Sequence, residues 1–418
     1  MDDFIIAAKN EEIAKQIRDD IQKHMSNPMN ELGIIKRFSG SDIHQTKHFI
    51  KISSETYIQK ICEHHQWTNE NAANVPIPMR ADSQYQATLE TTEGPTEPHE
   101  QQQLEEQMGF SYRQAIGELI YAMTTNRIDI SAATIKLSQY SNNPAKCHYQ
   151  AVKQVFIYLY ATKEYGIYYW RPRPYDTLPD ETIPTTITCL TKLQQYHKQS
   201  EPTIVHGSTD ATWATDRSHR RSTGGIAFLL AGGTIYYRTR IPAGVAQSST
   251  EAEFCMMVDA GKAALYLRSI LEEIKIPQIQ PTTILCDNRG ARHMANSQRP
   301  TKRTRHMDMK QFVILDWTEE EHITFKDVPT SINPSDSLSK QTGRIKFHEH
   351  MDILMGRKCP TYARHQQTNK QYLTKAPTAP ASNKPYISYM KIHNTPRAYE
   401  IILSTYSNLC VRDNVQFL

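Results

Sequence analysis

Residues 1–75 alternate between strand-like and helix-like hydrophobic patterns. The run Phe4 to Ala8 predicts a short strand. Glu11 to Met25 predicts an amphipathic helix, because Ile13, Ile17 and Ile21 recur four apart. Phe49 to Ile52 predicts another strand, and Ser54 to His64 a helix with Tyr57, Ile58 and Ile61 on one side. Residues 80–107 are rich in Gln, Glu, Thr and Pro and read as a polar loop or linker. Helical spacing returns over Tyr112 to Tyr140 and over His148 to Ala161, the latter behind Asn143-Pro144 as a cap and first turn. Residues 171–202 carry several prolines and little periodicity, which makes them a linker.

From Thr203 the pattern changes. Strands are expected at Thr203 to Asp210, Thr223 to Leu230 and Thr234 to Arg240, with Gly232-Gly233 turning the last two into a hairpin. A long helix over Glu251 to Glu273 stops before Pro277. A strand at Thr282 to Cys286, a helix over Arg305 to Glu320, a strand at His322 to Val328 and a helix start at Pro334 to Lys340 follow. Three sequential strands, a helix and two further strands imply an α/β fold with a mixed sheet flanked by helices. Residues 342–418 are polar without a core pattern and are expected to be loosely ordered. The organisation expected is therefore 1–170, a 171–202 linker, a self-contained unit at 203–341, and the tail.

Composition adds little. The formal net charge of +4 is compatible with nucleic acid but does not argue for it, so charge distribution must carry that case. The 7 cysteines are dispersed with no C-x-x-C pair, which argues against a disulfide framework and a zinc ribbon and suits a reduced, intracellular setting, cytoplasmic or nuclear. No apolar run is long enough for a membrane span, and no signal-peptide pattern follows Met1. His64-His65 and His348-Glu349-His350 lack metal-site spacing and read as solvated surface.

Four carboxylates stand at telling places: Asp210 ending a strand, Glu253 in the first turn of the long helix, Asp287 ending a strand and Asp336 opening the last helix. Two-metal phosphodiester hydrolysis needs several acids converging on two magnesium ions, because magnesium prefers hard oxygen ligands. Each acid also has a local role open to it: a turn for Asp210, a Thr250-x-x-Glu253 capping box, and helix caps for Asp287 and Asp336. Helix phase separates the two glutamates of the long helix. Met256, Met257, Ala260, Ala264, Leu267 and Leu271 fall within about 60° of Glu253, on the stripe that must pack on the sheet. Glu251 points about 160° away, with Lys262, Ser269 and Glu273.

Motifs decide between these roles. Ser208-Thr209-Asp210-Ala211-Thr212-Trp213, the Arg221-Ser222-Thr223-Gly224-Gly225 run after Asp216-Arg217, Ser248-Ser249-Thr250-Glu251-Ala252-Glu253-Phe254, Cys286-Asp287-Asn288, Arg305-His306-Met307-Asp308 and Asp336-Ser337-Leu338-Ser339-Lys340 follow one another in this order. Together they resemble the ribonuclease H domain of copia-type retrotransposons. The resemblance implies a ribonuclease H mixed sheet. It implies a catalytic and metal-binding set of Asp210, Glu253, Asp287 and Asp336, two Mg2+ ions with Mn2+ as a substitute, and cleavage of the RNA strand of an RNA–DNA hybrid. Two departures stand out: Ser335 where the family has Ala, and Met256-Met257 where it has Ala-Leu.

The upstream half resembles the end of the same element's reverse transcriptase, with its palm, thumb and connection regions. The resemblance rests on Met1-Asp2-Asp3-Phe4-Ile5, Leu32-Gly33, Phe38 to Ile43, Tyr112 to Gly117 and Arg127-Ile128-Asp129-Ile130. Asp2 and Asp3 would then be relics of a polymerase metal motif. With the first palm aspartate absent, polymerase activity is not expected. Arg299, Lys302, Arg303, Arg305 and Lys310 form a basic cluster suited to phosphate contacts, and Arg217, Arg220 and Arg221 a second one. The expected partner is an RNA–DNA hybrid, with other parts of the retrotransposon polyprotein beside it, in a cytoplasmic virus-like particle for an intact element. Two rivals remain: an integrase-like nuclease using Asp287 and Glu321, and a catalytically silent, hybrid-binding remnant of a decayed element.

Overall fold

The computed structural model describes residues 3–8, 11–25, 29–68, 75–174, 178–179, 201–214, 220–242, 244–295, 308–357, 360, 363 and 386–392. In the first part, β1 (Asp3–Ala8), α1 (Glu11–Lys23), β2 (Met29–Ile34), β3 (Arg37–Phe38), β4 (Ser41–Gln45), β5 (Phe49–Ser53) and α2 (Glu55–His64) follow the alternation of the hydrophobic pattern. The isoleucines of α1 pack with Ile6 and Ala8 of β1 in a small satellite core.

Helices then dominate: α3 (Ser83–Thr91), α4 (Pro98–Met108), α5 (Tyr112–Thr125), α6 (Ser131–Ser138) and α7 (Lys146–Ala161), closed by β6 (Gly166–Trp170). β3, β4, β5 and β6 form one antiparallel sheet in that order. The stretch expected to be a linker at 80–107 contains α3 and α4. Their apolar periodicity is weak because α3 buries only Leu89 and α4 buries nothing. Their ends are nonetheless marked. Asp82 accepts the Tyr85 N–H at 2.8 Å, Pro98 opens α4, and Gly109 closes it in the left-handed conformation at φ 78°.

The third part holds β7 (His206–Thr212), β8 (Thr223–Leu230), β9 (Gly233–Arg240), α8 (Ser249–Glu273), β10 (Thr282–Cys286), α9 (Arg289–Ala295), α10 (Asp308–Glu319), β11 (Ile323–Asp327) and α11 (Asp336–Ser339). The five strands lie in the order β11-β10-β7-β8-β9. β7, β8 and β9 are antiparallel, while β10 runs parallel to both β7 and β11. This is a mixed sheet flanked by helices, as expected from the pattern of elements.

Both faces of this sheet are covered. On one, Ile226 and Phe228 of β8 pack under α8, with its buried stripe of Met256, Met257, Ala260, Ala264, Leu267 and Leu271. On the other, Ala227 and Leu229 join a core shared with α5, α7 and Leu338 of α11. The alternation of β8 is thus apolar on both sides, as a central strand requires. One hydrophobic core therefore runs from the upstream helices into the 203–341 region.

The expectation of a loosely ordered 342–418 is corrected over α12 (Arg344–Leu354), which buries Phe347, Met351, Ile353 and Leu354 in that shared core. Its apolar positions are interrupted by two histidines, which hid the helical stripe from a reading of hydrophobicity alone. Beyond it, β12 (Tyr386–Ile392) lies between β1 and β2, antiparallel to both. No described helix is long and apolar enough to cross a membrane.

Candidate active site

Parallel pairing brings the first two carboxylates together. Leu285 of β10 is in register with Ser208 of β7, so two residues further along each strand stand Asp287 and Asp210. Asp210 is 3% exposed. Across the antiparallel pair it faces Gly225, where a side chain would meet the α11 segment: a Cβ there would lie 2.6 Å from Leu338 Cβ and 2.7 Å from the Ser335 carbonyl. The second glycine of Arg221-Ser222-Thr223-Gly224-Gly225 is therefore the gap into which α11 fits. Gly224 likewise makes room for Met256, which accounts for one departure from the family pattern.

α11 is short but tied to β7 along its length. Ser335 Oγ and Ser208 Oγ are hydrogen-bonded at 2.7 Å, and Asn333 Nδ2 donates to the Thr209 carbonyl at 3.0 Å. The other departure, Ser335, thus has a structural partner. Ser339 Oγ donates to Asp210 Oδ2 and lies 3.0 Å from Thr212 Oγ1. These bonds fix Asp336, which is fully buried. Its carboxylate is ion-paired with Lys340 Nζ at 2.5 Å and with Lys346 Nζ, from α12, at 2.7 Å.

Glu253 arrives from the opposite side, on α8. The capping box of that helix uses different residues from those expected. Ser248 Oγ accepts the Glu251 N–H at 3.1 Å, and Glu251 Oε2 accepts the Gln247 N–H at 2.7 Å. Glu251 is occupied at the helix mouth, leaving Glu253 to head the buried stripe. Glu253 is 5% exposed, and its Oε2 has no hydrogen-bond partner among the described residues. An oxygen of Glu253, one of Asp287 and the Cys286 thiol all lie within 4.8 Å of one another.

Electrostatics register the crowding. Burial pushes Glu253 up to about 9, and Asp210 and Asp287 push in the same direction. Burial pushes Asp210 up to about 7; Asp336 and Asp287 add to this, while the Ser339 hydroxyl and Lys340 oppose it. Burial alone would lower Lys340, but Asp336, Asp210 and Asp287 raise it. All four acids therefore act on one small volume. A set of hard oxygens that repel one another, with one buried carboxylate oxygen unpartnered, fits a divalent cation such as magnesium.

Some expected residues fall outside this picture. Asp2, Arg217, Arg299, Lys302, Arg303 and Arg305 lie outside the described residues. Asp3 begins β1 and Lys310 lies in α10, but their side chains are not among those described. Glu321 closes α10 from its solvent side at φ 58°, with no tie to Asp287.

The histidines expected on the surface are partly interior. His65 bonds Glu118 at 2.7 Å, and His350 is buried with its Nδ1 2.8 Å from Ser337 Oγ. Two site residues escaped the sequence reading. Lys340 could have been found, since Asp336 and Lys340 stand at the favourable i,i+4 spacing. Lys346 could not, because it reaches Asp336 only through the packing of α12.

Residues 1–79 match the family model described as reverse transcriptase (RNA-dependent DNA polymerase). The chain is 28% identical over 349 residues to the retrovirus-related Pol polyprotein from transposon TNT 1-94 of Nicotiana tabacum, a match covering 83% of this chain and 23% of that protein. It is 33% identical over 156 residues to the secreted RxLR effector protein 161 of Plasmopara viticola, covering 37% of this chain and 90% of the effector. The chain thus spans less than a quarter of the tobacco polyprotein. A crystal structure of LC11-RNase H1 in complex with an RNA/DNA hybrid covers 32% of this chain and 92% of its own, at 12% identity and a TM-score of 0.25.

Proposed function

We propose, from the similarity of the chain to retrovirus-related Pol polyproteins of plant transposons and of residues 1–79 to a reverse transcriptase, that its region from β7 to α12 is a ribonuclease H that hydrolyses the RNA strand of an RNA–DNA hybrid. The observation that carries this reading is the convergence of Asp210, Glu253, Asp287 and Asp336, brought from two strand ends and two helices to one largely buried volume.

Asp210, Glu253, Asp287 and Asp336 would hold magnesium, with manganese as a substitute. Bound there, the metal supplies charge neutralisation and Lewis acidity for phosphodiester hydrolysis. The chain's own residues do the rest. Ser339 fixes the carboxylate of Asp210, and Lys340 and Lys346 hold that of Asp336. The α8 stripe sets the height of Glu253 over the sheet. Burial favours a proton on Glu253 and Asp210 in the absence of metal, and a bound cation would take the place of that proton. Arg299, Lys302, Arg303, Arg305 and Lys310 would contact phosphates of the hybrid, whose groove shape and 2′-hydroxyls distinguish it from other duplexes. Such a hybrid is what reverse transcription produces, and the match of residues 1–79 is to a reverse transcriptase.

The test is incubation of the purified chain with labelled RNA–DNA hybrid, single-stranded RNA and double-stranded DNA, each with Mg2+ and with EDTA. Cleavage confined to the RNA of the hybrid, and abolished by EDTA, is expected. Cutting of double-stranded DNA would favour an integrase-like nuclease, and tight hybrid binding without cutting would mark a silent remnant.

A further inference from the structure

We infer that the carboxylate cluster also takes a thiophilic divalent cation, of the zinc and cadmium class, with Cys286 as an added ligand and in competition with magnesium. The inference rests on reading the carboxylates as a cation site, as above. Cys286 ends β10 directly before Asp287, fully buried, and its side chain turns toward the core under α8. There it reaches the underside of Glu253. Its Sγ, a Glu253 oxygen and an Asp287 oxygen lie within 4.8 Å of one another. Independently, Glu253 Oε2 is buried without a hydrogen-bond partner among the described residues. That oxygen is ready for a ligand, and the thiol lies next to it.

Two bonds of about 2.0–2.3 Å each are typical of zinc with oxygen and sulfur ligands. Closing this set on one ion therefore requires the three side chains to draw together by up to roughly 1 Å, within the reach of χ rotations. Ligand softness separates the two kinds of cation. Magnesium leaves a thiol uncoordinated, whereas zinc and cadmium bind sulfur and displace its proton, which is released to solvent. Asp210 and Asp336 do not belong to this close set. A thiophilic ion would thus engage Glu253 and Asp287 with Cys286, withdrawing both acids from the magnesium arrangement. An ion held in this way would occupy the site without supporting hydrolysis.

The probe is cadmium alone, titrated into the metal-free full chain and into Cys286→Ser, with ultraviolet absorption reporting thiolate-to-cadmium charge transfer. Calorimetry gives the affinities. Other cysteines, such as Cys62, Cys147 and Cys255, contribute equally to both proteins, so the difference isolates Cys286. The expected result is a charge-transfer band present in the parent and lost in the variant, with cadmium affinity at least about tenfold weaker. Magnesium added in excess should diminish the band in the parent.

An unchanged band and unchanged affinity in Cys286→Ser would overturn the inference. If thermal melting shows that the serine variant is unfolded, Cys286→Ala is read in the same way, and the parent's band and its magnesium competition stand as a separate test. Failure of this inference is distinguishable from failure of the proposed function. A cadmium band at Cys286 in a protein that never cuts hybrid would leave the metal site standing without the activity. Mg2+-dependent cleavage without any band would do the reverse.

Discussion

Replacing Glu253 by Gln separates catalysis from stability in a way that a merely structural glutamate would not. In the metal-free protein burial, with Asp210 and Asp287 beside it, pushes Glu253 up to about 9 from the ordinary 4.5. A raised acid costs the folded state nothing below about pH 4.5, where it is protonated in both states. The cost grows as pH rises and levels off above about 9. At pH 8 its upper bound is about 5 kcal/mol, at about 1.4 kcal/mol per pH unit. A neutral amide removes that penalty but leaves a buried polar group, which costs about 1–3 kcal/mol. The net expectation is a gain of about 2 kcal/mol at pH 8 in EDTA, a melting temperature a few degrees above the parent. The gain should disappear at pH 4, and hybrid cleavage should be lost.

Glu251→Gln is the control. It keeps a side chain that can serve the capping box and loses only the charge at the helix mouth, about 0.3–1 kcal/mol. It should cut at close to the parent rate. The assays are thermal melting at pH 4 and pH 8 in EDTA, and hybrid cleavage in Mg2+. A Glu253→Gln protein that melts lower than the parent at pH 8, or that still cuts while Glu251→Gln does not, would refute the reasoning.

Three further outcomes follow from the packing. Gly225→Ala pushes a methyl group against Leu338 and the Ser335 carbonyl. β8 lies between two strands and cannot retreat, so α11 must move with Asp336; cleavage should fall about a hundredfold and urea stability by about 1–3 kcal/mol. Phe347→Ala should cost about 3–5 kcal/mol in urea denaturation, and residues 200–342 expressed without α12 and the upstream helices should be insoluble or unfolded, with Ala227, Leu229 and Leu338 laid bare; a soluble, active 200–342 fragment would contradict the shared core.

The sheet, α8 and the carboxylate set were legible because each rests on a local signal. The strands of the third part alternate or are continuously apolar, and α8 carries a stripe that phases Glu253 inward. The Asp336 segment was readable through its motif. What was not legible depends on contacts between distant segments. α12 presents few apolar positions between its histidines and charges, and its worth lies in meeting α7 and α11. α3 and α4 bury almost nothing, so only their caps betrayed them. The second face of the sheet also escaped notice, since Ala227 and Leu229 in a central strand do not say what covers them. Lys346 reaches Asp336 across a turn that no spacing rule foresees.

The most direct measurement is Mg2+-dependent cleavage of an RNA–DNA hybrid by the parent chain beside Asp210→Asn and Asp287→Asn, with the folding of all three checked by thermal melting. These two acids stand at the ends of paired parallel strands, and each substitution removes a negative charge while keeping the shape. The account predicts cleavage by the parent, none in EDTA, and a loss of at least about a thousandfold in each folded variant. Cleavage by either variant at close to the parent rate in saturating Mg2+ would contradict it.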